Sequence, residues 1–234
     1  MTAPTIVAVV PAAGIGSRMQ ADKPKQYLTI GNHTILEHTL RALNKHPAVS
    51  RVVVALHPED TYFPTLAISQ APWLTAVAGG DSRAESVQNA LHTLAAHEWA
   101  LVHDAARPCI SQQDLSSLID HIQQPAFNGG ILATPVRDTM KRAQTKSGSP
   151  VVSHTEDREN LWHALTPQLF RAGELLTALN EALDAGANVT DEASAMEFAG
   201  HTVRLVDGNP ANIKVTRPAD LPLATFYLQQ GEPQ

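Results

Sequence analysis

The residues of this sequence whose types and spacing could do chemistry are mainly cations. Arg18 and Lys25 follow a run of small residues, Pro11-Ala12-Ala13-Gly14-Ile15-Gly16-Ser17, and Lys214 stands far downstream between Ile213 and Val215. Small residues let backbone N–H groups approach an anion closely, and neighbouring cations neutralise it. The implied chemistry is phosphate binding with charge neutralisation. A plainer reading of the same segment is a tight strand-to-loop connection whose charges are solvated. Two familiar phosphate motifs are excluded. A dinucleotide fingerprint requires a third glycine where Met19 stands, which disfavours a nicotinamide dehydrogenase, and neither Lys23 nor Lys25 follows a glycine as a Walker loop requires.

Two further segments bring polar groups to strand ends. Gly79-Gly80-Asp81 runs into Ser82-Arg83-Ala84-Glu85-Ser86, offering backbone donors and a carboxylate. Nucleobase edges present amino donors beside acceptors, so carbonyls, carboxylates and backbone amides can read them. Asp81 or Ser82 can equally cap the helix that follows, and both uses are compatible. Asp104-Ala105-Ala106-Arg107-Pro108 places a carboxylate and a guanidinium three residues apart. The planar fork of Arg107 suits oxygen pairs, or the two side chains can pair with each other. Lys214 either meets an anionic partner or extends its charge to solvent, because burying it unpaired between Ile213 and Val215 is costly.

The elements that must position these groups alternate between strand-like and helix-like patterns, the signature of βαβ units. Ile6–Val10 is a short, uninterrupted apolar run and reads as a strand buried on both faces. Further strands are expected at 51–56, 75–78, 99–103, 130–136, 203–206 and 213–215. Capping boxes at Thr34–Glu37 and Ser82–Glu85 open two helices, and Ser111 and Thr190 can cap two more. Another helix carries Leu175, Leu176, Leu179 and Leu183 and stops at Gly186, and Pro218 opens a terminal helix through Tyr227. Residues 57–74, with three prolines, read as irregular structure or a short helix. Ligands of open α/β sheets bind beyond the carboxyl ends of the strands. Four segments, Pro11–Lys25, Gly79–Ser86, Asp104–Pro108 and Val136–Lys141, are expected to converge on one such crevice.

The exception to the alternation lies at about 137–160. Residues 138–144 and 151–155 are strand-compatible, and Lys146-Ser147-Gly148-Ser149-Pro150 between them is turn chemistry. A polar hairpin of this size is not stable alone. It either lies against another surface, such as a second copy of the chain, or stands as a mobile surface hairpin. The expected architecture is one α/β domain over 1–234, a Rossmann-like, mainly parallel twisted sheet with helices on both faces plus an extended β-arm.

Bulk properties narrow the function. The 234 residues suit one large domain, and a net charge of −6 disfavours non-specific nucleic-acid binding. A single cysteine, Cys109, forbids an internal disulfide, suits a reducing cytoplasm and reads as a small core residue. No run is long enough to span a bilayer, and residues 1–5 lack the pattern of a secretory signal. The eleven histidines show no metal-ligand spacing, so no protein-held metal is expected. No Ser/His/Asp triad or carboxylate pair is visible.

The opening run, spelled Pro-Ala-Ala-Gly-x-Gly-x-Arg-Met and continued by Pro24-Lys25-Gln26-Tyr27, closely resembles the start of the sugar-nucleotide pyrophosphorylase superfamily. Within it the run resembles the 2-C-methyl-D-erythritol 4-phosphate cytidylyltransferase family, and the likeness extends from about Val7 to about Tyr227. The resemblance implies transfer of CMP from CTP to a polyol phosphate with release of pyrophosphate, in the non-mevalonate isoprenoid route. It implies that Pro11, Ala12, Ala13, Gly14, Gly80, Asp81, Ser86 and Ala105 contact the nucleotide. Arg18 and Lys25 then stabilise charge at the α-phosphate and leaving pyrophosphate, with Lys214 assisting. Asp104, Arg107, Thr139, Arg158, Thr166 and Thr190 hold the acceptor. It further implies Mg²⁺ carried mainly by the triphosphate, and a homodimer in which the arm brings Arg158 to the neighbouring subunit's site. Two alternatives stand beside this reading: a ribitol 5-phosphate cytidylyltransferase, and a nucleotide-binding regulator without turnover. The spelling Thr134-Pro135-Val136-Arg137-Asp138-Thr139-Met140 favours the methylerythritol family over the first, and the placement of Arg18 and Lys25 disfavours the second.

Overall fold

The computed structural model describes residues 4–14 and 23–230. In chain order its strands and helices are β1 (Ile6–Pro11), β2 (Thr29–Ile30), β3 (His33–Thr34), α1 (Ile35–Lys45), β4 (Val49–Leu56), β5 (Leu74–Ala78) and α2 (Arg83–Leu91). They continue with β6 (Trp99–Val102), α3 (Gln112–Ile119), β7 (Gly129–Pro135), β8 (Lys141–Lys146), β9 (Ser149–Thr155) and β10 (Trp162–Arg171). The last are α4 (Ala172–Asp184), α5 (Glu192–Phe198), β11 (Arg204–Asp207) and α6 (Asp220–Gln230). Seven strands form one sheet in the order β11-β7-β10-β6-β1-β4-β5. All pairings are parallel except those of β10, which runs antiparallel between β6 and β7.

The period of two along β1 divides the core. Ile6, Ala8 and Val10 join Leu36, Leu40, Leu43, Leu115 and Leu118 of α1 and α3 on one face. Val7 and Val9 join Val87, Leu91, Leu175, Leu179 and Met196 of α2, α4 and α5 on the other. Both faces are covered by helices, which is why the parallel strands read as continuous apolar runs. The chain leaves β1 for β4 and β5 on one side and returns to place β6 on the other. The carboxyl ends of β1 and β6 therefore flank a topological switch point, where open α/β sheets bind ligands.

Both capping boxes form as the sequence indicates, Thr34 with Glu37 and Ser82 with Glu85, and Ser111 caps α3. Residues 57–73 contain two short 3₁₀ turns, Phe63–Thr65 and Ala67–Gln70. Four expectations are corrected. Thr190 does not cap α5. Asp191 does, accepting from the Ser194 N–H. Residues 213–215 join no sheet. Only the Val215 N–H reaches a neighbouring loop, at Ala106 O (2.8 Å), so no ladder forms. The terminal helix starts at Asp220, whose carboxylate gathers the N–H groups of Thr216 and Arg217. Finally, β10 is a central strand that the sequence reading passes over. Its register shifts between Ala164 and Gln168, and Pro167, which has no N–H to give a ladder, sits inside that shift.

The arm is a separate two-stranded sheet of β8 and β9. Its two-residue turn, Ser147-Gly148, takes positive φ at both positions (50° and 78°), the tight-hairpin geometry that a glycine favours. Every residue of both strands is exposed.

Candidate active site

A cavity of about 320 Å³ opens at the carboxyl ends of β1, β5 and β6, lined by Pro11, Ala12, Ala13, Gly14, Lys25, Gly80, Asp81, Ser86, Asp104, Ala105 and Lys214, with Gln26, Ser82, Arg83 and Ala106 completing it. Three of the four segments expected to converge do so. The fourth, Val136–Lys141, runs out into the arm and contributes nothing to this cavity. Arg18 and the Ile15–Met19 part of the loop lie outside the described residues.

The first loop is shaped from below by Gln26. Its Nε2 donates to Ala12 O (2.8 Å) and Gly14 O (3.1 Å), engaging carbonyl oxygens that would otherwise repel a phosphate. Lys25, on the 3₁₀ turn that also carries Gln26, donates from Nζ to Val215 O (3.2 Å), tying the first loop to the Lys214 segment. The second loop needs its glycines for close approach. A Cβ on Gly79 would lie 2.6 Å from the Ala13 Cβ, and one on Gly80 would lie 2.4 Å from the Glu85 Cβ. Ser86 fixes this loop, accepting from the Gly80 N–H (3.1 Å) and donating to Ser82 O (2.9 Å).

Asp104 forms the floor and is buried. Its Oδ1 accepts from Arg83 Nε (3.1 Å), while its Oδ2 meets Lys214 Nζ (2.8 Å) and Arg107 Nε (3.3 Å). Burial alone would raise its pKa, but Arg83, Lys214 and Arg107 outweigh that and hold the carboxyl well below the usual range. Arg83 is anchored in turn by Glu192, at 2.6 Å and 3.0 Å between the two nitrogens and the two carboxylate oxygens. Burial disfavours the Arg83 cation, and Glu192 and Asp104 more than restore it. Arg107 loses some basicity to burial, opposed by Asp104, and gives Nη1 to Asn212 O (2.7 Å). Within this cluster three cations, Arg83, Arg107 and Lys214, meet two carboxylates, Asp104 and Glu192.

A second cavity, about 220 Å³, lies across this floor and is lined by Thr166, Thr190, Asp191, Arg107 and Gln168. Arg83, Asp104 and Lys214 line both cavities, so one cluster is their common wall. Thr166 is positioned by His103, a buried residue that sequence reading did not single out. Burial lowers the His103 pKa to about 4, so the ring is neutral near pH 7. Its Nε2 faces Arg107 O at 3.0 Å and therefore carries the proton, leaving Nδ1 to accept from the Thr166 hydroxyl at 3.0 Å. The same hydroxyl oxygen accepts from the Asp104 N–H (3.1 Å), so Thr166 clamps the Asp104 backbone as well as facing the second cavity.

Comparison with known proteins decides the family. The family model described as 2-C-methyl-D-erythritol 4-phosphate cytidylyltransferase matches residues 6–230. The chain belongs to the 2-C-methyl-D-erythritol 4-phosphate cytidylyltransferase family. A relative of that name from Alteromonas mediterranea is 59% identical over 98% of this chain and 95% of its own length. Another from Yersinia pseudotuberculosis is 55% identical over 98% and 94%. A solved structure of a 4-diphosphocytidyl-2C-methyl-D-erythritol synthase superposes with TM-score 0.81 at 40% identity, covering 96% of this chain and 99% of that one. The Francisella tularensis family member superposes with TM-score 0.82 at 34% identity, covering 95% and 99%.

In this family's nucleotidyltransferase fold the described sequence-predicted residues divide into four groups. The nucleotide set and Lys25 line the first cavity, Arg107, Thr166 and Thr190 line the second, and Asp104 and Lys214 line both. Thr139 and Arg158 touch neither. Both are exposed at the base of the arm, where the Arg158 guanidinium donates to Arg137 O. The reading missed Arg83 and Glu192, which sequence presents only as residues opening two helices. One signal existed: Arg83 is a cation in the first turn of α2, where the helix dipole disfavours it unless it has an anionic partner elsewhere. Cys109 is half-buried and its thiol is pushed up to about 11 by burial, as suits a packing residue.

Proposed function

We propose that this chain transfers CMP from CTP to 2-C-methyl-D-erythritol 4-phosphate, giving 4-diphosphocytidyl-2-C-methyl-D-erythritol and pyrophosphate, in the non-mevalonate isoprenoid pathway. The observation that carries the reading is the shared wall. One cavity fits the nucleotide, its neighbour fits the phosphorylated polyol, and Arg83, Asp104 and Lys214 border both.

An acceptor phosphate oxygen attacks the α-phosphorus of CTP, forming a P–O bond as the bond to the β-phosphate oxygen breaks. Pyrophosphate leaves with that electron pair. A phosphate monoester carries about −1.5 to −2 charge near neutral pH, so its oxygen is already nucleophilic and needs no general base. The barrier is repulsion between two anions, and catalysis is positioning and neutralisation. Lys25 and Arg18 stabilise charge on the α-phosphate and the departing pyrophosphate. Lys214, shared between Asp104 and the α-phosphate, draws the two cavities' contents together. Gly80, Asp81 and Ser86 read the base, beside Ala105 and the Pro11–Gly14 loop. Asp104 accepts from acceptor hydroxyls, with Arg107, Thr166 and Thr190 around it.

Among the described residues no group of three carboxylates or histidines could cage a metal, and both Asp104 oxygens already face cations. The site therefore fits Mg²⁺ brought in by the triphosphate, whose charge it would lower. The arm fits a homodimer contact. It exposes Val151 and Val152, and Thr139 and Arg158 at its base line neither cavity, which supports a role for them in a partner's acceptor site. No helix among the described residues is long and apolar enough to cross a membrane, and the half-buried single thiol suits a reducing cytoplasm.

The test is pyrophosphate release from CTP with a panel of polyol phosphates. Release with the methylerythritol acceptor is expected. Release with ribitol 5-phosphate alone would transfer the assignment to that alternative, and no release with any acceptor would favour a regulator.

A further inference from the structure

We infer that Glu192 is a positioning residue for this reaction, acting through Arg83 and Asp104 on Lys214. The inference rests on the proposed transfer. Glu192 touches neither reacting group. It is 1% exposed and stands at the first position of α5, behind the wall between the cavities.

Its carboxylate takes both terminal nitrogens of Arg83, which leaves only Nε to meet Asp104, and only at Oδ1. That division keeps Oδ2 for Lys214 at 2.8 Å and Arg107 at 3.3 Å. A guanidinium released from Glu192 retains one anionic neighbour in the cluster, Asp104. Its planar fork matches both oxygens of a carboxylate, so it would turn onto Asp104 and displace Lys214 from Oδ2. Glu192 thereby sets where Lys214 stands, although 22 positions separate them in sequence and Lys214 lies on no regular element.

On the nucleotide side Arg83 and Lys214 border the cavity, but the loop that reads the base is held independently of this relay. The base-reading loop is held by Ser82 and Glu85 in their reciprocal cap and by Ser86 on Gly80 and Ser82, none of which involves Arg83's guanidinium. The acceptor side is not independent of the relay. Asp191, the residue before Glu192, caps α5, and its Oδ2 accepts from Gln168 (2.8 Å), so the same turn walls the second cavity.

The test compares Glu192→Gln with the unaltered protein in steady-state kinetics and in calorimetric titration with CTP, with thermal melting to check folding. Glutamine keeps the shape but turns an N–H toward Arg83. The expected result is a fall of about tenfold or more in kcat and a rise of similar size in acceptor KM, with CTP affinity within about twofold. Arg83→Gln combined with Glu192→Gln should lose no more than the worse single change, because both break one relay. If Glu192→Gln does not fold, Glu192→Asp, which keeps the charge but withdraws it by one methylene, must show the same split. Unchanged acceptor kinetics in a folded variant, additive losses, or equal losses in CTP and acceptor binding would each overturn the inference. An unaltered protein inactive with the methylerythritol acceptor would instead defeat the proposed reaction itself.

Discussion

The cavity floor and the arm hold similar polar residues and use them in opposite ways. On the floor, Arg83 pairs with Glu192 at side-chain exposures of 29% and 1%, and each charge meets at least one further fixed group or helix terminus. On the arm, Arg142 pairs with Glu156 at 65% and 31%, within a hairpin that is exposed throughout. Desolvation makes an unpaired charge on the floor expensive, so every orientation there is determined by its neighbours. Water screens the arm's charges, and its strands bond only to each other. The floor is therefore fixed by contacts within one chain, whereas the arm's two strands are held by each other.

The comparison breaks most visibly if the arm is dispensable. On the proposed homodimer, deleting residues 140–156 should lower both dimer content, read by analytical ultracentrifugation, and turnover by about tenfold or more, because Arg158 and Thr139 would no longer reach a partner's acceptor site. A fully active monomer would show that the floor works without them.

A smaller effect sharpens the floor's side of the contrast. Burial lowers the His103 pKa from 6.5 to about 4. The unfolded chain therefore takes up a proton that the folded chain refuses, and stability contributed by this residue is present above pH 6.5 and lost as pH falls toward 4. The linked change is roughly 3 kcal/mol. Denaturant midpoints measured across that window should fall less steeply for His103→Gln than for the unaltered protein. Parallel curves would mean that the buried ring does not couple to folding.

The smallest effect is expected on the arm. Arg142→Ala should leave the melting temperature unchanged within error, since an exposed ion pair gains little over its hydration. A loss comparable with that of a floor residue would erase the distinction between the two regions.

How legible each region was follows from the range of the forces that build it. Capping boxes at Thr34 and Ser82, the uninterrupted apolar run of β1 and the Ser147-Gly148 turn are local, and the sequence displays them directly. The strand β10 was hidden because Pro167 interrupts its pattern, and only the register shift around Ala164–Gln168 makes a proline tolerable there. Residues 213–215 look like a strand because Ile213 and Val215 flank Lys214. Their apolar side chains instead pack beside α6 and the start of α1, away from any ladder. The cavity-lining residues were readable as loops at strand ends, and their convergence follows from a parallel sheet. The Arg83–Glu192 contact joins positions 109 residues apart and becomes visible only once α2 and α5 share a face of that sheet.

The central claim is that one carboxylate, Asp104, organises the wall on which the two cavities meet. Asp104→Asn tests it most directly, with calorimetric CTP titration alongside acceptor kinetics on protein shown to be folded. Removing the negative charge leaves the wall more cationic, so CTP affinity should hold or tighten. Acceptor kcat/KM should fall by about 100-fold or more, because the hydroxyl acceptor and the anchor of Lys214 are lost together. Equal weakening of CTP and acceptor, or acceptor turnover that survives the change, would contradict the account.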